Sequence, residues 1–218
     1  MTPLRFKIAR MLHDEPMLQS LSVPQAELLD TFAGKRIALV GNARALEGGA
    51  EGSMIDAADL VVRINRAPMP SPESHGTCTD MLALATRLPD ADRARISAGR
   101  ILWMSPKRKR LDRATAHTPG FYLHPLDDYE TLKVRLGAPP TTGAMMIDLI
   151  LKGGPAALDL YGFDFFASQS LSGRRRAEDV PHDFPSEADW VAALTRENPH
   201  LHLHAMSPTS DPSSDTEG

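Results

Sequence analysis

The sequence predicts a single α/β domain in which a mostly parallel β-sheet is covered by helices on both faces. Short apolar runs such as "RIALV" and "LVVRIN" are continuous rather than alternating, which is typical of strands buried on both sides. Segments with helical spacing or helix-capping residues separate these runs along the chain. The 218 residues are 42% hydrophobic, which is enough for one sizeable core, and no internal repeat is visible.

The first half of the chain supplies most of the expected strands. Residues 1–33 predict one or two helical pieces, the second beginning near Pro24 and ending near Gly34. Strands are predicted in "RIALV", "LVVRIN", "RILWMS" and "GFYLHP", whereas "TDMLALAT" fits a strand or a short helix. "EGSMIDAA" indicates a turn and a short helix, and the proline-rich "APMPSPESHG" a loop over the sheet edge.

The second half contains the clearest helix, "PPTTGAMMIDLILKGG", with a threonine cap, an apolar face and a Gly-Gly stop. A strand in "ALDLYGF", a helix in "EADWVAALTREN" and a last strand in "HLHLHAM" follow it. We therefore expect an N-terminal helical segment over 1–33 that packs on an α/β domain over 34–206. The polar, acidic residues 207–218 predict a disordered tail.

Composition narrows the class of protein. A net charge of -4 and a pI near 6.1 argue against nucleic-acid binding. The single cysteine, Cys78, cannot form an internal disulfide and fits a reducing compartment. No apolar stretch has the length of a membrane span or the character of a signal peptide. These features predict a cytoplasmic protein and leave peripheral membrane contact open. The basic runs "PKRKRLDR" and "SGRRRAED" are interpreted as solvated loops, although either could attract an anion near a site.

The first candidate site is the break after "RIALV", where Gly41 and Asn42 follow a buried strand. Glycine permits close backbone approach to a ligand, and the asparagine amide offers both a donor and an acceptor. The alternative is a tight turn with Asn42 in a left-handed conformation. A Rossmann-type oxidoreductase is disfavoured, because no G-x-G-x-x-G motif follows this strand.

Three further stretches carry residues suited to binding or proton transfer. Arg63 and Asn65 end the next strand, where one of them could face a ligand beside Asn42; an edge hydrogen bond is the alternative. Hydroxyls and free N–H groups collect at the helix start "PPTTG", which suits a phosphate or a nucleoside, although plain capping explains threonine there too. His182 in "VPHDFPSE" could act as a general base oriented by Glu187.

The tract "HLHLHA" sets His200, His202 and His204 on one face of a strand, an arrangement that could bind a metal. No carboxylate or cysteine stands at ligand spacing within the tract. The outward face of an edge strand therefore explains it better, and no metal site is predicted.

The order of these stretches resembles glycosyltransferase family 29, the sialyltransferases. "KRIALVGNARALEGGAEGSMIDAADLVVRINRAP" is similar to the large sialyl motif, with Val-Gly-Asn, Ile-Asp and Arg-x-Asn in sequence. "PPTTGAMMIDLILKGGPAALDLYGFDFF" resembles the small motif, and "HDFPSE" matches His-x-x-x-x-Glu of the very small motif. The resemblance covers roughly residues 35–66 and 139–190.

This resemblance implies a variant Rossmann-like, GT-A-like fold and an inverting transferase that moves sialic acid from CMP-sialic acid to a glycan or glycolipid hydroxyl. The family needs no metal or other cofactor, since the CMP-sugar is a co-substrate. His182 is then the general base, and Glu187 supports its segment. The residues implied to bind the CMP-sugar are Gly41, Asn42, Asn65, Thr141, Thr142 and Gly143.

The chain also departs from the family pattern. Animal members carry a membrane anchor and a cysteine pair, and both are missing here, which suggests a cytoplasmic bacterial form. The family's third motif, a histidine before an aromatic residue, has no counterpart in "ASQSLSGRRRAEDVP". Arg174, Arg175 or Arg176 could supply the phosphate cation instead. A donor such as CMP-Kdo stays open, as does a CMP-sugar-binding accessory protein without transfer activity.

Overall fold

A computed structural model describes residues 1–164 and 183–204 of the chain. Its centre is a seven-stranded sheet in the order β5-β4-β3-β2-β1-β6-β7, and every neighbouring pair is parallel. The predicted α/β class with a parallel sheet is therefore confirmed. The strands are β1 Arg36–Val40, β2 Leu60–Ile64, β3 Met81–Leu84, β4 Arg100–Trp103, β5 Tyr122–Leu123, β6 Ala157–Tyr161 and β7 Leu201–Leu203.

Helices fill the connections between these strands, and two 3-10 turns, Arg44–Gly48 and Arg108–Arg110, lie among them. In the described ranges every helix is too short or too polar to cross a bilayer. The α-helices are α1 Pro3–Leu12, α2 Glu15–Gln19, α3 Gln25–Phe32, α4 Gly52–Asp56, α5 Pro72–His75, α6 Asp90–Ile96, α7 Arg113–Ala116, α8 Leu126–Leu136, α9 Thr142–Lys152 and α10 Phe184–Glu197.

Apolar side chains cover both faces of the sheet, as the continuous apolar strands predict. One face packs against α3, α8, α9 and α10 through the largest core cluster. On the other face, α1, α2, α6 and α7 cover β3, β4 and β5, while α4 and the first 3-10 turn cover β1, β2 and β6. Residues 1–33 thus contribute helices to both faces.

Several expectations about individual elements were wrong. Residues 1–33 form three helices, because Asp14 caps a separate short helix between the two predicted pieces. The stretch "APMPSPESHG" contains α5, whose Ser71 cap accepts a hydrogen bond from the N–H of Ser74. The ambiguous "TDMLALAT" is strand β3. Helices α6, α7 and α8 were not predicted.

The basic run "PKRKRLDR" is not a fully solvated loop either. Arg108 is 1% exposed, and its guanidinium bonds the Glu15 carboxylate at 2.5 and 3.0 Å and the carbonyl oxygens of Ser105 and His124. This arginine ties the loop after β4 to the N-terminal helices. The carboxylate compensates a charge that would otherwise be costly to bury.

The strand order reverses between β1 and β6, because the chain runs outward from β1 to β5 and then returns to the other side of β1. In parallel sheets the crevice beyond the carboxyl ends of strands at such a reversal is the usual ligand site. Here that crevice lies beyond Val40 of β1 and Tyr161 of β6, which are paired in the sheet.

Gly41 has a structural reason to be glycine, and it differs from the expected approach to a ligand. Its N–H donates to the carbonyl oxygen of Tyr161 at 2.7 Å, and a Cβ at this position would lie 2.2 Å from the carbonyl oxygen of Gly162. The close approach is therefore between the ends of β1 and β6. It sets how tightly the two strands meet at the reversal.

Replacing Gly41 with alanine should force these strand ends apart. We expect Gly41→Ala to lower the free energy of unfolding by about 2 kcal/mol, because backbone atoms cannot move aside as a flexible side chain can. Gly99→Ala is the matched control, since its Cβ would lie 3.3 Å from its nearest neighbour at an exposed site. Urea unfolding measures both; equal stability of the two variants would contradict this account of Gly41.

Candidate active site

The crevice at the strand reversal brings together the large-motif and small-motif residues named from the sequence. Gly41 and Asn42 follow β1, and Asn65 follows β2. Because Val40 pairs with Arg63 in parallel register, β1 and β2 end side by side and point in the same direction. The two asparagines therefore lie at the same edge of the sheet.

The start of α9 borders the same crevice through the ring of Phe163. A Cβ on Gly41 would lie 3.2 Å from Phe163 Cδ2, and one on Gly143 would lie 2.7 Å from Phe163 Cε1. A single aromatic ring thus separates the end of β1 from the first turn of α9. Phe163 was not singled out from the sequence, although the Tyr-Gly-Phe ending of the small motif was a signal for it.

Asn42 is the site residue whose polar atoms are least satisfied. Its side chain is 8% exposed, and Oδ1 has no hydrogen-bond partner among the described residues. An unpaired buried amide oxygen costs about 1–3 kcal/mol unless water or a ligand donates to it. Similar unpaired atoms occur elsewhere, for example on His75 and Trp103, but Asn42 has one at the strand reversal.

Asn65 and Arg63 both have structural partners. Asn65 adopts a left-handed conformation with φ of 52°, and its Oδ1 accepts a hydrogen bond from the N–H of Ala85 at 3.2 Å. This bond and the 2.7 Å bond from its own N–H to Ala83 fix Asn65 to the end of β3. Asn65 as a whole is only partly buried.

Arg63 follows the alternative given for this pair, a set of hydrogen bonds to a neighbouring segment. It is 1% exposed, and its guanidinium donates to the carbonyl oxygens of His75 and Cys78 and to the hydroxyl of Thr79. Burial lowers the pKa of Arg63 to about 10, so the side chain stays charged at neutral pH. It holds the segment that leads into β3.

Asp56, the acidic residue of the Ile-Asp pair, holds the same segment from the other side. Its carboxylate accepts hydrogen bonds from the N–H groups of Thr77 and Cys78 and from the hydroxyl of Thr77, at 2.8 to 3.0 Å. Although burial opposes it, these bonds leave the pKa of Asp56 below its usual value. Asp56 and Arg63 therefore both hold the segment that leads into β3.

The first turn of α9 is organised by Thr141. Its hydroxyl oxygen accepts a hydrogen bond from the N–H of Ala144 at 3.1 Å, as expected of a helix N-cap. The N–H groups of Thr142 and Gly143 have no hydrogen-bond partner within the described part of the chain. A helix N-terminus with free N–H groups favours a bound anion.

Glu187 joins the first turn of α10 to the Thr141 cap. One carboxylate oxygen accepts the N–H of Thr141 at 2.6 Å, and the other accepts its hydroxyl at 2.8 Å. The side chain is 4% exposed, and burial raises the pKa of Glu187 to about 7, with the two Thr141 bonds opposing the rise. A structural carboxyl thus titrates near neutral pH at the edge of the crevice.

His182 lies outside the described residues, as do Arg174, Arg175, Arg176 and the predicted tail over 207–218. The described chain resumes at Asp183, whose carboxylate caps α10 by accepting the N–H and hydroxyl of Ser186. The assignments of His182 as base and Glu187 as its support stay predictions.

The histidine tract forms edge strand β7, as the preferred alternative predicts, but a carboxylate does face it. Asp159 of β6 contacts His202 Nδ1 at 3.2 Å and His204 Nε2 at 2.7 Å, and the His204 ring stacks on Tyr161. His200 precedes the strand. Within the described residues, no group of three or more histidine, cysteine or acidic side chains is arranged to hold a metal.

Comparisons with known proteins agree with the fold and the motifs. Residues 3–86 match the model of glycosyltransferase family 29 (sialyltransferase), a range that contains the whole large motif. A mammalian sialyltransferase structure is similar with a TM-score of 0.59 and 20% identity, over 78% of this chain and 69% of that one. No curated protein sequence matches the chain.

Two further structures have the same fold. The mammalian sialyltransferase in complex with Gal-beta-1-3GalNAc-ortho-nitrophenol gives a TM-score of 0.58 at 20% identity, over 78% and 69% of the two chains. A variant of the Campylobacter jejuni sialyltransferase CST-II in complex with CMP gives 0.54 at 14% identity, over 81% and 82%. At these identities the likeness establishes the fold.

The chain thus has the fold of the sialyltransferase structures, and its large-motif and small-motif residues lie at the strand reversal. The family match over residues 3–86 confirms the resemblance to glycosyltransferase family 29 that the motifs predict.

The raised pKa of Glu187 predicts a pH-dependent stability. The folded protein holds a proton on Glu187 up to about pH 7, whereas the unfolded chain releases it near the ordinary value of 4.5. The free energy of unfolding should therefore fall by on the order of 3 kcal/mol as pH rises from 4.5 to about 7.

Glu187→Gln removes this ionisation and should flatten that part of the pH profile in urea unfolding. It also replaces the acceptor of the Thr141 hydroxyl, so its stability below pH 5 should be about 1 kcal/mol lower than wild type. Glu73→Gln, at an exposed glutamate, is the matched control and should follow the wild-type profile. An unchanged slope in Glu187→Gln would refute the assignment.

Proposed function

We propose that the protein is an inverting glycosyltransferase that moves sialic acid, or a related acidic sugar such as Kdo, from its CMP-activated form to a hydroxyl of a glycan or glycolipid. The proposal includes His182 as general base, transfer without a metal or other cofactor, and a cytoplasmic location in a bacterium. A CMP-sugar-binding accessory protein is the alternative that activity measurements must separate from it.

The observation that carries the proposal is the unpaired buried oxygen of Asn42 at the strand reversal. A ligand with hydroxyl or amino groups would satisfy it, as a ribose or a cytosine ring can. Asn65, which follows the neighbouring strand β2, is only partly buried. The crystal structure of the CST-II variant contains CMP, a ligand of this chemistry.

The first turn of α9 suits the phosphate of the same nucleotide. The free N–H groups of Thr142 and Gly143 and the positive end of the helix dipole both favour a negative charge. Glu187 fixes the Thr141 cap, which orients this turn. The nucleoside and phosphate sites are then separated by the Phe163 ring, so one compact ligand can reach both.

For this reaction the protein has to position the donor and the acceptor and to remove one proton. The acceptor oxygen attacks the anomeric carbon of the donor sugar while the bond from that carbon to the CMP phosphate oxygen breaks. The electron pair leaves with CMP, and the acceptor proton passes to His182. Helix N–H groups stabilise the charge that grows on the departing phosphate.

Asn42→Asp tests the nucleotide site with almost no change of shape. We expect at least about tenfold weaker CMP binding by calorimetry, because Asn42→Asp adds a buried negative charge to the crevice that also has to hold the CMP phosphate. Thermal-shift measurements with CMP, CMP-sialic acid, CMP-Kdo, a UDP-sugar and NAD define the ligand class, since binding to the native state raises the melting temperature.

The matched control is Asn198→Asp, at the far end of α10, about 16 Å along the helix from Glu187. It should bind CMP as wild type does. Stabilisation by NAD alone, or equal CMP affinity in Asn42→Asp and wild type, would overturn the proposed site.

His182→Ala tests the general base separately from the nucleotide site. We expect transfer to fall by about 10²- to 10⁴-fold with CMP affinity within twofold of wild type, because the base acts on the acceptor. His200→Ala, at an exposed histidine, is the control and should keep full activity. Normal transfer by His182→Ala would remove the assigned base, and CMP binding without transfer by wild type would favour the accessory protein.

A further inference from the structure

Helix α1 presents an apolar stripe to solvent. Its exposed side chains include Leu4 at 68%, Ile8 at 46%, Met11 at 58% and Leu12 at 76%. Large apolar side chains on a helix normally face the core, and α1 already has a core-facing side in Phe6 and Ala9. The stripe is therefore additional to what the fold requires.

The geometry of the helix places the stripe opposite the core. At 100° per residue, the four exposed apolar side chains occupy an arc of about 100°, and Phe6 and Ala9 lie on the other side. Arg5 and Lys7 flank the arc on its two sides. No acidic residue precedes Asp14 in the chain. An apolar face between cations is the pattern of helices that lie in a membrane interface.

The basic run after β4 adds to the positive charge beside this helix. Arg10 donates to the carbonyl oxygen of Leu111 at 2.9 Å, and Arg113 donates to that of Met1 at 3.4 Å, so the two segments are in direct contact. The acidic member of the run, Asp112, is held by Thr115. The exposed cations of this run are Lys107, Lys109, Arg110 and Arg113.

We propose that this surface docks the protein on an anionic lipid bilayer. The α1 surface consists of the stripe Leu4, Ile8, Met11 and Leu12 together with Arg5, Lys7 and the four exposed cations of the basic run. The whole chain carries a net charge of -4, yet this surface is strongly positive. Its charge is complementary to acidic headgroups and opposes pairing with the same surface on a second copy.

The docked orientation suits the proposed function, and this consequence rests on that function. The basic run follows the carboxyl end of β4, at the same edge of the sheet as the crevice beyond β1 and β6. A bilayer that contacts α1 and this run therefore lies near the edge where the acceptor must enter. The surface fits an acceptor glycan carried on a membrane lipid.

Vesicle co-sedimentation with the full chain tests the docking without any substrate. The wild type should bind phosphatidylcholine vesicles that contain phosphatidylglycerol, and not pure phosphatidylcholine. Leu4→Ser with Ile8→Ser and Leu12→Ser should weaken this binding by at least about tenfold. Lys109→Glu with Arg110→Glu should do the same, and high salt should weaken wild-type binding, because the attraction is between exposed charges.

Two single substitutions elsewhere on the surface control for the kind of change made in each variant. Val134→Ser alters an apolar side chain on α8 that is 81% exposed, and Lys35→Glu reverses an exposed charge. Both should bind vesicles as wild type does. Circular dichroism and the CMP thermal shift should be unchanged in the α1 variants, which separates failure of docking from failure of the nucleotide site.

Equal vesicle binding by wild type and the α1 variants would overturn the proposal, as would no wild-type binding to anionic vesicles. Analytical ultracentrifugation supplies a third outcome. A wild-type dimer that becomes monomeric in the serine variant would assign the stripe to a second copy of the chain and would also overturn lipid docking.

Discussion

The close approach of β1 and β6 at Gly41 and Gly162 is the constraint on which the rest of the crevice depends. The two strands come from distant parts of the sequence and meet where the strand order reverses. Their backbones are too close there for any side chain at Gly41. The approach fixes Asn42 at the rim and seats Phe163 against the first turn of α9, so both halves of the crevice depend on one backbone contact.

The large-motif residues divide between framework and ligand according to which polar atoms already have partners. The charged side chains of Asp56 and Arg63 are hydrogen-bonded to the segment before β3. The side-chain oxygen of Asn65 accepts a hydrogen bond from the N–H of Ala85. Asn42 keeps an unpaired oxygen. Burying polar groups without partners is costly. The division therefore separates residues that hold the framework from the one residue to which the proposed function assigns a ligand contact.

The apolar strands and the motif order were predictable because each depends on a local pattern. Helix α8 was not predicted, although its sequence has an acidic first turn and a glycine, Gly137, at its end. Its polar composition makes the apolar positions of the helix hard to recognise. The roles of Arg63 and Arg108 could not be predicted, because their partners lie on other elements that only the folded chain brings near. The positions of the motif residues at the ends of strands and at a helix start were thus predictable, whereas the contacts of their side chains required the fold.

Glu187 links the charge state of the crevice to its architecture. Its carboxyl holds the Thr141 cap and titrates near neutral pH, at the same helix end that the proposed function gives to the donor phosphate. Two negative charges at one helix end oppose each other, so a bound phosphate favours the protonated form of Glu187. By reciprocity, protonation of Glu187 must favour the bound phosphate to the same extent. Donor affinity should therefore weaken as pH rises through 7, even though no group that contacts the donor needs to titrate there.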